Sequence, residues 1–278
     1  MNRPFLKMNG LGNDFAVVDA RQNAFAPAPD QIRAWADRAQ GVGFDQLIAI
    51  EDSADGDAFM RVWNADGGSV ETCGNALRCV AWVLNPDADD RTLKIDTLSG
   101  LTKARVIKAD TKTGTASVDM GKPRLNWQEI PLAEEMDTLR LELQVGPIDN
   151  PLYHTPCAVS MGNPHVVFFV DDVEKVDVAA TGSLIENHPL FPEGVNVEFV
   201  QVLDRRTLRM RVWERGAGIT KACGTGACAT LVAAVRRGLS ERSATVIMDG
   251  GPLHIAWTDN DHVVMTGPVE LEFSGELK

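Results

Sequence analysis

Alternating apolar and polar residues mark two matching strands in this chain. Residues 58–63 read Ala-Phe-Met-Arg-Val-Trp, and residues 208–213 read Leu-Arg-Met-Arg-Val-Trp. This period of two is typical of a half-buried strand. Continuous apolar runs at 16–18 and 166–170 predict two further short strands that are buried on both faces.

A turn and then a helix follow each alternating strand. Glycine-containing turns are predicted at 66–68 and 216–218, and apolar segments predict helices from Asn75 to Leu84 and from Thr225 to Arg237. A proline or a glycine lies within two residues of each predicted helix end, as a stop signal. Both segments therefore have the order strand, turn, helix.

The similarity extends to an internal repeat with one fixed offset. Met60–Trp63, Cys73-Gly74 and Gly12-Asn13 each recur 150 positions later, as Met210–Trp213, Cys223-Gly224 and Gly162-Asn163. Gln46 aligns with Asn196 at the same offset. Because several markers share one offset, the chain is interpreted as two homologous halves.

The repeat predicts an α+β fold built of two pseudo-symmetric halves. The matching regions cover about 1–121 and 153–268, with a proline-containing segment between them, so the predicted domains are 1–122 and 123–268. Each half is expected to wrap a curved, mostly antiparallel sheet or barrel around one central helix, with the active site in the cleft between the halves.

Composition and charge exclude several classes of protein. The 278 residues are 44% hydrophobic and 24% charged, which is typical of a globular chain. A net charge of −12 disfavours a nucleic-acid partner, because such a surface must neutralise many phosphates. No apolar run approaches the roughly 20 residues that span a bilayer, and no signal segment is apparent. We expect a cytoplasmic protein without a membrane partner.

Five cysteines suggest chemistry other than disulfides or metal binding. Their number is odd, and their spacing fits neither a disulfide framework nor a zinc site, so no metal site is expected. Cys79, Cys157 and Cys228 have no counterpart in the repeat and are predicted to lie in the core.

The two repeated cysteines, Cys73 and Cys223, each directly precede a predicted helix. A helix start has unpaired N–H groups and partial positive charge, which stabilise a thiolate and can hold a carboxylate. We therefore expect lowered thiol pKa values. Two such thiols on opposite faces of one carbon could invert it, one removing a proton and the other returning one. A lone cysteine at such a position would more often be a small buried side chain.

Several motifs together resemble diaminopimelate epimerase. They are residues 7–15 (Lys-Met-Asn-Gly-Leu-Gly-Asn-Asp-Phe), 161–165 (Met-Gly-Asn-Pro-His), the segment from Asn64 to Asn75, and the segment from Glu214 to Ala229. The similarity runs from about residue 5 to the C-terminus. The family implies a cofactor-independent epimerase that acts on a small amino-acid substrate, interconverting LL- and meso-2,6-diaminopimelate for lysine and peptidoglycan synthesis. It also implies a homodimer, and a return of residues 269–278 to the first half.

The resemblance also implies roles for particular residues. Cys73 and Cys223 would be the two acid/base thiols, with their pKa values modulated by His165 and Glu214. The implied substrate contacts are the side chains of Asn13, Gln46, Asn64, Asn163, Asn196, Glu214 and Arg215, and the backbones of Gly74, Asn75, Gly224 and Thr225. The halves differ where a substrate with two unlike ends requires it, since Asn64 and Ala65 correspond to Glu214 and Arg215.

Other functions remain open at this stage. A racemase resembling proline racemase would use a similar cysteine pair, although Asn64, Asn163, Asn196 and Arg215 offer more polar contacts than a small cyclic substrate needs. A phenazine-type isomerase is less favoured, because it is not expected to keep both cysteines. A redox sensor would instead join Cys73 and Cys223 in a reversible disulfide.

Overall fold

A computed structural model describes residues 3–278 of the chain. The strands within those residues are β1 (Arg3–Asn9), β2 (Asp14–Asp19), β3 (Gln46–Glu51), β4 (Ala58–Asn64), β5 (Ser69–Val70), β6 (Leu93–Asp96), β7 (Thr102–Ala109), β8 (Thr113–Asp119), β9 (Gln144–Val145), β10 (Tyr153–His154), β11 (Cys157–Ser160), β12 (Pro164–Phe169), β13 (Asn196–Asp204), β14 (Thr207–Glu214), β15 (Gly218–Thr220), β16 (Ser243–Met248), β17 (Gly251–Trp257) and β18 (Val263–Leu277). The α-helices are α1 (Pro29–Ala36), α2 (Gly74–Leu84), α3 (Val178–Glu186) and α4 (Gly224–Arg236). Short 3₁₀ helices cover Trp127–Glu129 and Val173–Lys175.

The chain divides into two compact units. Unit 1 runs up to Asp119 and includes Thr266–Lys278, and unit 2 is Met120–Met265. The C-terminal residues thus belong with the N-terminal part of the chain. None of the helices among residues 3–278 combines the length and the apolar character needed to cross a membrane.

Unit 1 is a closed barrel of eight strands. Its strand order is β1-β2-β3-β4-β6-β7-β8-β18, and β18 pairs with β1 to complete the circle. The β2–β3 and β4–β6 pairs are parallel, whereas β1–β2, β3–β4, β6–β7 and β7–β8 are antiparallel. Closure removes the exposed sheet edges that would otherwise invite pairing with other chains.

Helix α2 is the central helix of unit 1 and packs against β6, β7 and β8. Every residue from Asn75 to Trp82 is buried, so the helix has no solvent-facing stripe over these two turns. The buried guanidinium of Arg78 donates to the side-chain oxygen of Asn75 at 3.0 Å and to the carbonyl of Pro268 at 3.4 Å. A cation is therefore part of the apolar helix, held by oxygens of its own unit.

Unit 2 repeats this design with the strand order β11-β12-β13-β14-β16-β17. Here β12–β13 and β14–β16 are the parallel pairs. The segment 120–124 adds to this sheet, because Arg124 bridges Ser160 and the amide of Met120 donates to the carbonyl of Val263. Helix α4 contacts all six of these strands and buries nine of its thirteen residues.

The proline-containing segment between the repeat halves is not an exposed linker. Ile130, Leu132, Leu141 and Leu143 are buried in the same apolar cluster as Phe168 of unit 2. Prolines predicted a connection here, but apolar residues between them provide a surface that packs on the sheet.

The predicted α+β class is confirmed, with a curved sheet and one buried helix in each half. Both helices begin one residue earlier than the sequence predicted, at Gly74 and Gly224. Glycines place few steric limits on the first helical turn, which explains this difference.

Candidate active site

Cys73 and Cys223 occupy equivalent backbone positions, as the N-cap residues of α2 and α4. Both are extended, with φ and ψ of −144° and 113° at Cys73 and of −127° and 109° at Cys223. The next residues, Gly74 and Gly224, provide the first helical amides, which helix geometry leaves without intrahelical acceptors. Each cysteine is thus located at the positive end of a largely buried helix.

The Cys223 sulfur lies among donors at the start of α4. The amide of Gly226 donates to the sulfur at 3.4 Å, and the Thr225 hydroxyl lies 3.5 Å from it. Only 5% of Cys223 is exposed, which matches a sulfur held by its own helix. Donors that point at sulfur favour its thiolate form.

Burial nevertheless overrides those donors, so the expected lowering of the Cys223 pKa is wrong. Burial raises the pKa of the Cys223 thiol well above its ordinary value, and the nearby carboxylates of Glu214 and Glu198 raise it further. The contacts from Thr225 and Gly226 lower it by less. In the absence of a bound cation, Cys223 is therefore a thiol at neutral pH.

A series of hydrogen bonds leads from the Cys223 sulfur through His165 to a buried carboxylate. Its Nδ1 lies 2.6 Å from Glu198 Oε1, and both side chains are fully buried. Its Nε2 lies 3.0 Å from Asn163 Oδ1, and Asn163 Nδ2 donates to the Thr225 hydroxyl at 3.3 Å. The predicted residues Asn163, His165, Cys223 and Thr225 are thus connected to one another.

Sequence reasoning missed Glu198. It lies between Val197 and Phe199, in an otherwise apolar segment directly after Asn196. The signal was present, because a carboxylate within a strand buried on both faces must find a partner. Burial raises the pKa of Glu198, with Glu214 adding to that effect and His165 opposing it.

Asn196, Glu214 and Arg215 lie in the same unit but make different contacts. Asn196 is hydrogen-bonded at both ends of its amide: its Nδ2 donates to the carbonyl of Pro164 at 2.8 Å, and its Oδ1 accepts from the amide of Arg215 at 3.0 Å. Glu214 accepts a hydrogen bond from the Thr220 hydroxyl. The exposed guanidinium of Arg215 donates to the carbonyl of Glu193 at 2.8 Å. Asn196 therefore fixes the backbone that presents Arg215.

Unit 1 supports Cys73 through a different set of groups. The Cys73 sulfur donates to Asn13 Oδ1 over 3.9 Å, and Asn13 Nδ2 donates to Asp45 Oδ2 at 2.8 Å. Gly12 has a φ of +83°, a conformation that favours glycine, and it turns the chain so that Asn13 enters at the start of β2. Asp45 therefore orients the amide that faces the sulfur.

Asp45, the partner of Asn13, belongs to a network of charged side chains. Arg38 donates to both oxygens of Asp14 at 2.9 Å and to Asp45 at 2.7 Å, and buried Lys7 also pairs with Asp14. Burial raises the pKa of Asp14, but hydrogen bonds from Arg38 and Lys7 outweigh it and hold the pKa well below its usual range. Asp14 is therefore a carboxylate at neutral pH.

Gln46 and Asn64 face each other across β3 and β4. Gln46 Nε2 donates to Asn64 Oδ1 at 2.9 Å. The other amide atom, Gln46 Oε1, is buried and has no hydrogen-bond partner within residues 3–278. A buried acceptor without a partner is costly, so this oxygen is suited to a ligand donor. The Asn75 side chain is engaged by Arg78, which leaves its backbone for other contacts.

The predicted residues make contacts within their own unit: Asn13 meets Cys73 and Gln46 meets Asn64 in unit 1, whereas Asn163, His165, Thr225 and Cys223 form one connected set in unit 2. The predictions for the core cysteines are confirmed, since Cys79, Cys157 and Cys228 are fully buried. Burial raises the pKa of Cys79 to about 12 and that of Cys157 to about 11, which makes both poor nucleophiles. Within the described part of the chain, no three His, Cys, Asp or Glu side chains cluster as metal ligands would.

Comparison with known proteins identifies relatives along the whole chain. The family model described as Diaminopimelate epimerase matches residues 5–126 and 157–272. The chain is 56% identical to a diaminopimelate epimerase of Caulobacter vibrioides, covering 100% of this chain and 98% of the relative. It is 53% identical to that of Phenylobacterium zucineum with the same coverage. A hydroxyproline epimerase from Agrobacterium vitis, solved with bound trans-4-hydroxy-L-proline, shares the fold at a TM-score of 0.69, with 14% identity over 99% of this chain and 92% of that one.

Proposed function

The chain belongs to the diaminopimelate epimerase family, and on that premise we propose that it interconverts LL- and meso-2,6-diaminopimelate. The observation that carries the proposal is the pair of N-cap cysteines, one before each buried helix. The family supplies the substrate, and the cysteines supply groups that can move a proton. The proposed reaction needs neither pyridoxal phosphate nor a metal.

In the proposed reaction the two sulfurs act on opposite faces of one carbon. A thiolate takes the α-proton, so that a C–H bond breaks and an S–H bond forms. The thiol of the other cysteine gives its proton to the opposite face, where a new C–H bond forms. No electrons leave the substrate, and the exchanged roles of the sulfurs suit the reverse reaction.

Stabilisation of the carbanion is the difficult part of this chemistry, since the α-proton of an amino acid is only weakly acidic. The first amides of α2 and α4, at Gly74, Asn75, Gly224 and Thr225, offer N–H groups for the substrate carboxylate. Charge that builds up on that carboxylate as the proton leaves would be met by donors already in place. This is the role that we assign to the glycines after each cysteine.

Substrate charge also explains how Cys223 can become a thiolate. Burial raises its pKa most, and Glu214 and Glu198 raise it further in the absence of ligand. An ammonium group bound beside Glu214 would compensate for that negative charge and lower the thiol pKa. We therefore propose that substrate binding, rather than the helix start alone, activates this sulfur.

The remaining predicted residues are proposed to bind the substrate. Gln46 Oε1 is a buried acceptor without a partner and is suited to an ammonium donor. Arg215 is exposed and can pair with a carboxylate in a bidentate manner. Asn196 contributes by holding the Arg215 backbone, because both ends of its amide are already engaged. Asn13, Asn64 and Asn163 complete the proposed contacts.

We further propose a cytoplasmic homodimer that serves lysine and peptidoglycan synthesis. Family membership is the support for this proposal.

The deciding experiment is turnover in deuterated water. Purified, reduced protein is incubated with LL-diaminopimelate and no added cofactor, and the products are separated by chirality and mass. We expect the meso isomer with one deuterium at an α-carbon. Proline and other amino acids are incubated separately in the same way. If deuterium enters one of them and not diaminopimelate, the two-thiol chemistry stands and the proposed substrate is wrong. If no amino acid exchanges, the proposed activity is refuted.

A further inference from the structure

The His165–Glu198 pair has a feature that substrate contact does not explain. Both side chains are fully buried, and Glu198 lies within β13 among apolar neighbours. Burial of a carboxylate is costly unless the group is paired and hydrogen-bonded, and even a buried ion pair is often no more stable than apolar residues in its place. The equivalent positions 150 residues earlier are Phe15 and Ile48, so the fold itself does not need a charged pair here.

The hydrogen bonds around His165 have a defined direction. In the observed amide orientation, Asn163 Oδ1 faces His165 Nε2, and an amide oxygen can only accept. Nε2 therefore carries a proton. The Nδ1–Glu198 contact of 2.6 Å then shares one further proton, as imidazolium with carboxylate or as imidazole with carboxylic acid. Either way the pair has no net charge, so His165 opposes the effect of the Glu198 carboxylate on the Cys223 sulfur.

That direction continues to the catalytic sulfur. Because Asn163 Oδ1 is taken by His165, its Nδ2 points to Thr225 and donates to the hydroxyl oxygen. With its oxygen accepting from Asn163, Thr225 has its own proton available for the Cys223 sulfur 3.5 Å away. Glu198 is the last residue of this hydrogen-bonded series. Its contact with Nδ1 fixes the orientation of the His165 ring, as the third group of a catalytic triad orients the base.

A glycine shows how close the carboxylate and the sulfur are. A Cβ placed on Gly226 would lie 2.8 Å from Glu198 Oε1 and 3.2 Å from the Cys223 sulfur. Gly226 also donates its amide to that sulfur. Glu198 and Cys223 therefore flank the same residue at the start of α4.

We propose that Glu198 is a positioning residue for Cys223, acting through His165, Asn163 and Thr225 to direct a hydroxyl donor at the sulfur. The inference rests on the proposed function in that it takes Cys223 as an acid/base thiol. The other ionisable group that influences this sulfur is Glu214 on β14.

Alkylation by iodoacetamide tests this role without substrate. The rate at Cys223 is followed against pH by peptide mass spectrometry, with Cys73 in the same sample as internal control. Glu198→Ile installs the residue of the first half, and Glu198→Gln is the matched control, because its amide can still donate to His165 Nδ1. We expect Glu198→Ile to slow alkylation of Cys223 about tenfold at pH 8, taking as a guide the lower end of the losses caused by removing groups that orient metal ligands. Glu198→Gln should stay close to wild type, and Cys73 should react equally in all three proteins.

A second variant tests the route. Thr225→Val removes the hydroxyl and should slow Cys223 to a similar extent, while Glu198→Ile added to it should change little further. Circular dichroism checks the fold of each variant. If Glu198→Ile is misfolded, Thr225→Val still tests the proposal, because alkylation of Cys223 at the wild-type rate in that variant would refute a role for the Thr225 hydroxyl.

The opposite sign would overturn the proposal. If Glu198 acted only as a negative charge, its removal would speed alkylation of Cys223. An unchanged rate, or an equal change at Cys73, would refute it as well. Turnover of diaminopimelate is measured separately on the same proteins, with kcat expected to fall and KM to hold in Glu198→Ile. A wild type that lacks turnover but shows the alkylation pattern would refute the proposed substrate and leave this inference intact.

Discussion

The two halves pair the same backbone positions but surround their cysteines with different chemistry. In unit 1 the parallel register places Phe15 opposite Gln46, and in unit 2 it places His165 opposite Asn196. Two residues further along β3 and β13 stand Ile48 and Glu198. Unit 1 thus has an apolar pair where unit 2 has an ionisable one.

Polar support reaches the two sulfurs from different directions. Cys73 is served by Asn13, which Asp45 orients from the charged network with Asp14 and Arg38. Cys223 is served by Thr225 and by the buried series that ends at Glu198. A repeat can therefore keep one backbone and still make two sulfurs chemically unequal.

Removal of either sulfur should have the largest effect. Cys73→Ala and Cys223→Ala each delete one partner of the proposed proton transfer, and each should lower epimerisation by roughly 10³-fold or more. Turnover of LL-diaminopimelate, with circular dichroism as a check of folding, measures this. Cys79→Ala is the control, since its thiol is buried in α2. Near-normal turnover in either active-site variant would refute the two-thiol mechanism.

Replacing only one residue of the His165–Glu198 pair by its counterpart in unit 1 should destabilise the protein. His165→Phe leaves the buried carboxylate of Glu198 without its partner, and breaking a buried pair costs about 3 kcal/mol of unfolding free energy. The double variant His165→Phe/Glu198→Ile has the apolar pair of unit 1 and should recover most of that stability. Urea unfolding of the three proteins measures the comparison.

The pH dependence of the single variant has a definite sign. Without His165, Glu198 keeps a folded-state pKa above its unfolded value of about 4.3. The folded state then binds the proton more tightly, so stability is retained below about pH 4 and falls as pH rises through the folded pKa. A destabilisation that shrinks with rising pH would contradict this account.

The charged network around Asp14 in unit 1 should contribute less to the free energy of unfolding than the His165–Glu198 pair. Asp14→Asn removes the acceptor of Arg38 and Lys7, and charged hydrogen bonds are worth about 2 kcal/mol. Because the folded-state pKa of Asp14 is depressed, its contribution is present above about pH 4 and is lost as pH falls towards that folded pKa. The exposed ion pair between Asp19, the last residue of β2, and Arg21 provides the control, and Asp19→Asn should cost under about 1 kcal/mol.

The smallest effects should come from exchanging one methyl between the halves. Ala76 and Gly226 are equivalent positions. Gly226→Ala places a Cβ against Glu198 and the sulfur and should cost about 1 kcal/mol. Ala76→Gly should cost about 1 kcal/mol, because backbone freedom increases and a buried methyl group is lost. If Gly226→Ala were neutral while Ala76→Gly was not, the close approach of Glu198 would be disproved.

The sequence predicted the frame of the site because its signals are local. Cysteine, glycine turns and helix stops occur within a few residues of each other, so the starts of α2 and α4 were predictable to one residue. Contacts between distant strands have no such signal. Glu198 meets His165 across a parallel pair of strands, and nothing near Glu198 in the chain marks its partner.

Helix α3 and the Cys223 pKa were likewise beyond prediction, because both depend on residues distant in the chain. Helix α3 contains Gly182, which weakens a helical pattern but is required because a Cβ there would lie 2.4 Å from Trp213 Cβ. The thiol pKa was mispredicted for a related reason. A helix start is visible in sequence, whereas burial and two carboxylates from β13 and β14 are not.

The pairing of β1 with β18 has a consequence for how the protein is made. Arg3 is paired with Leu277, and the eight-stranded barrel of unit 1 is closed only by that pairing. Unit 2 is drawn from one continuous stretch that ends at Met265. The N-terminal strands of unit 1 are therefore synthesised first but keep an open sheet edge until β18 has been made. A chaperone that shields that edge would have its longest task on the half that was synthesised first.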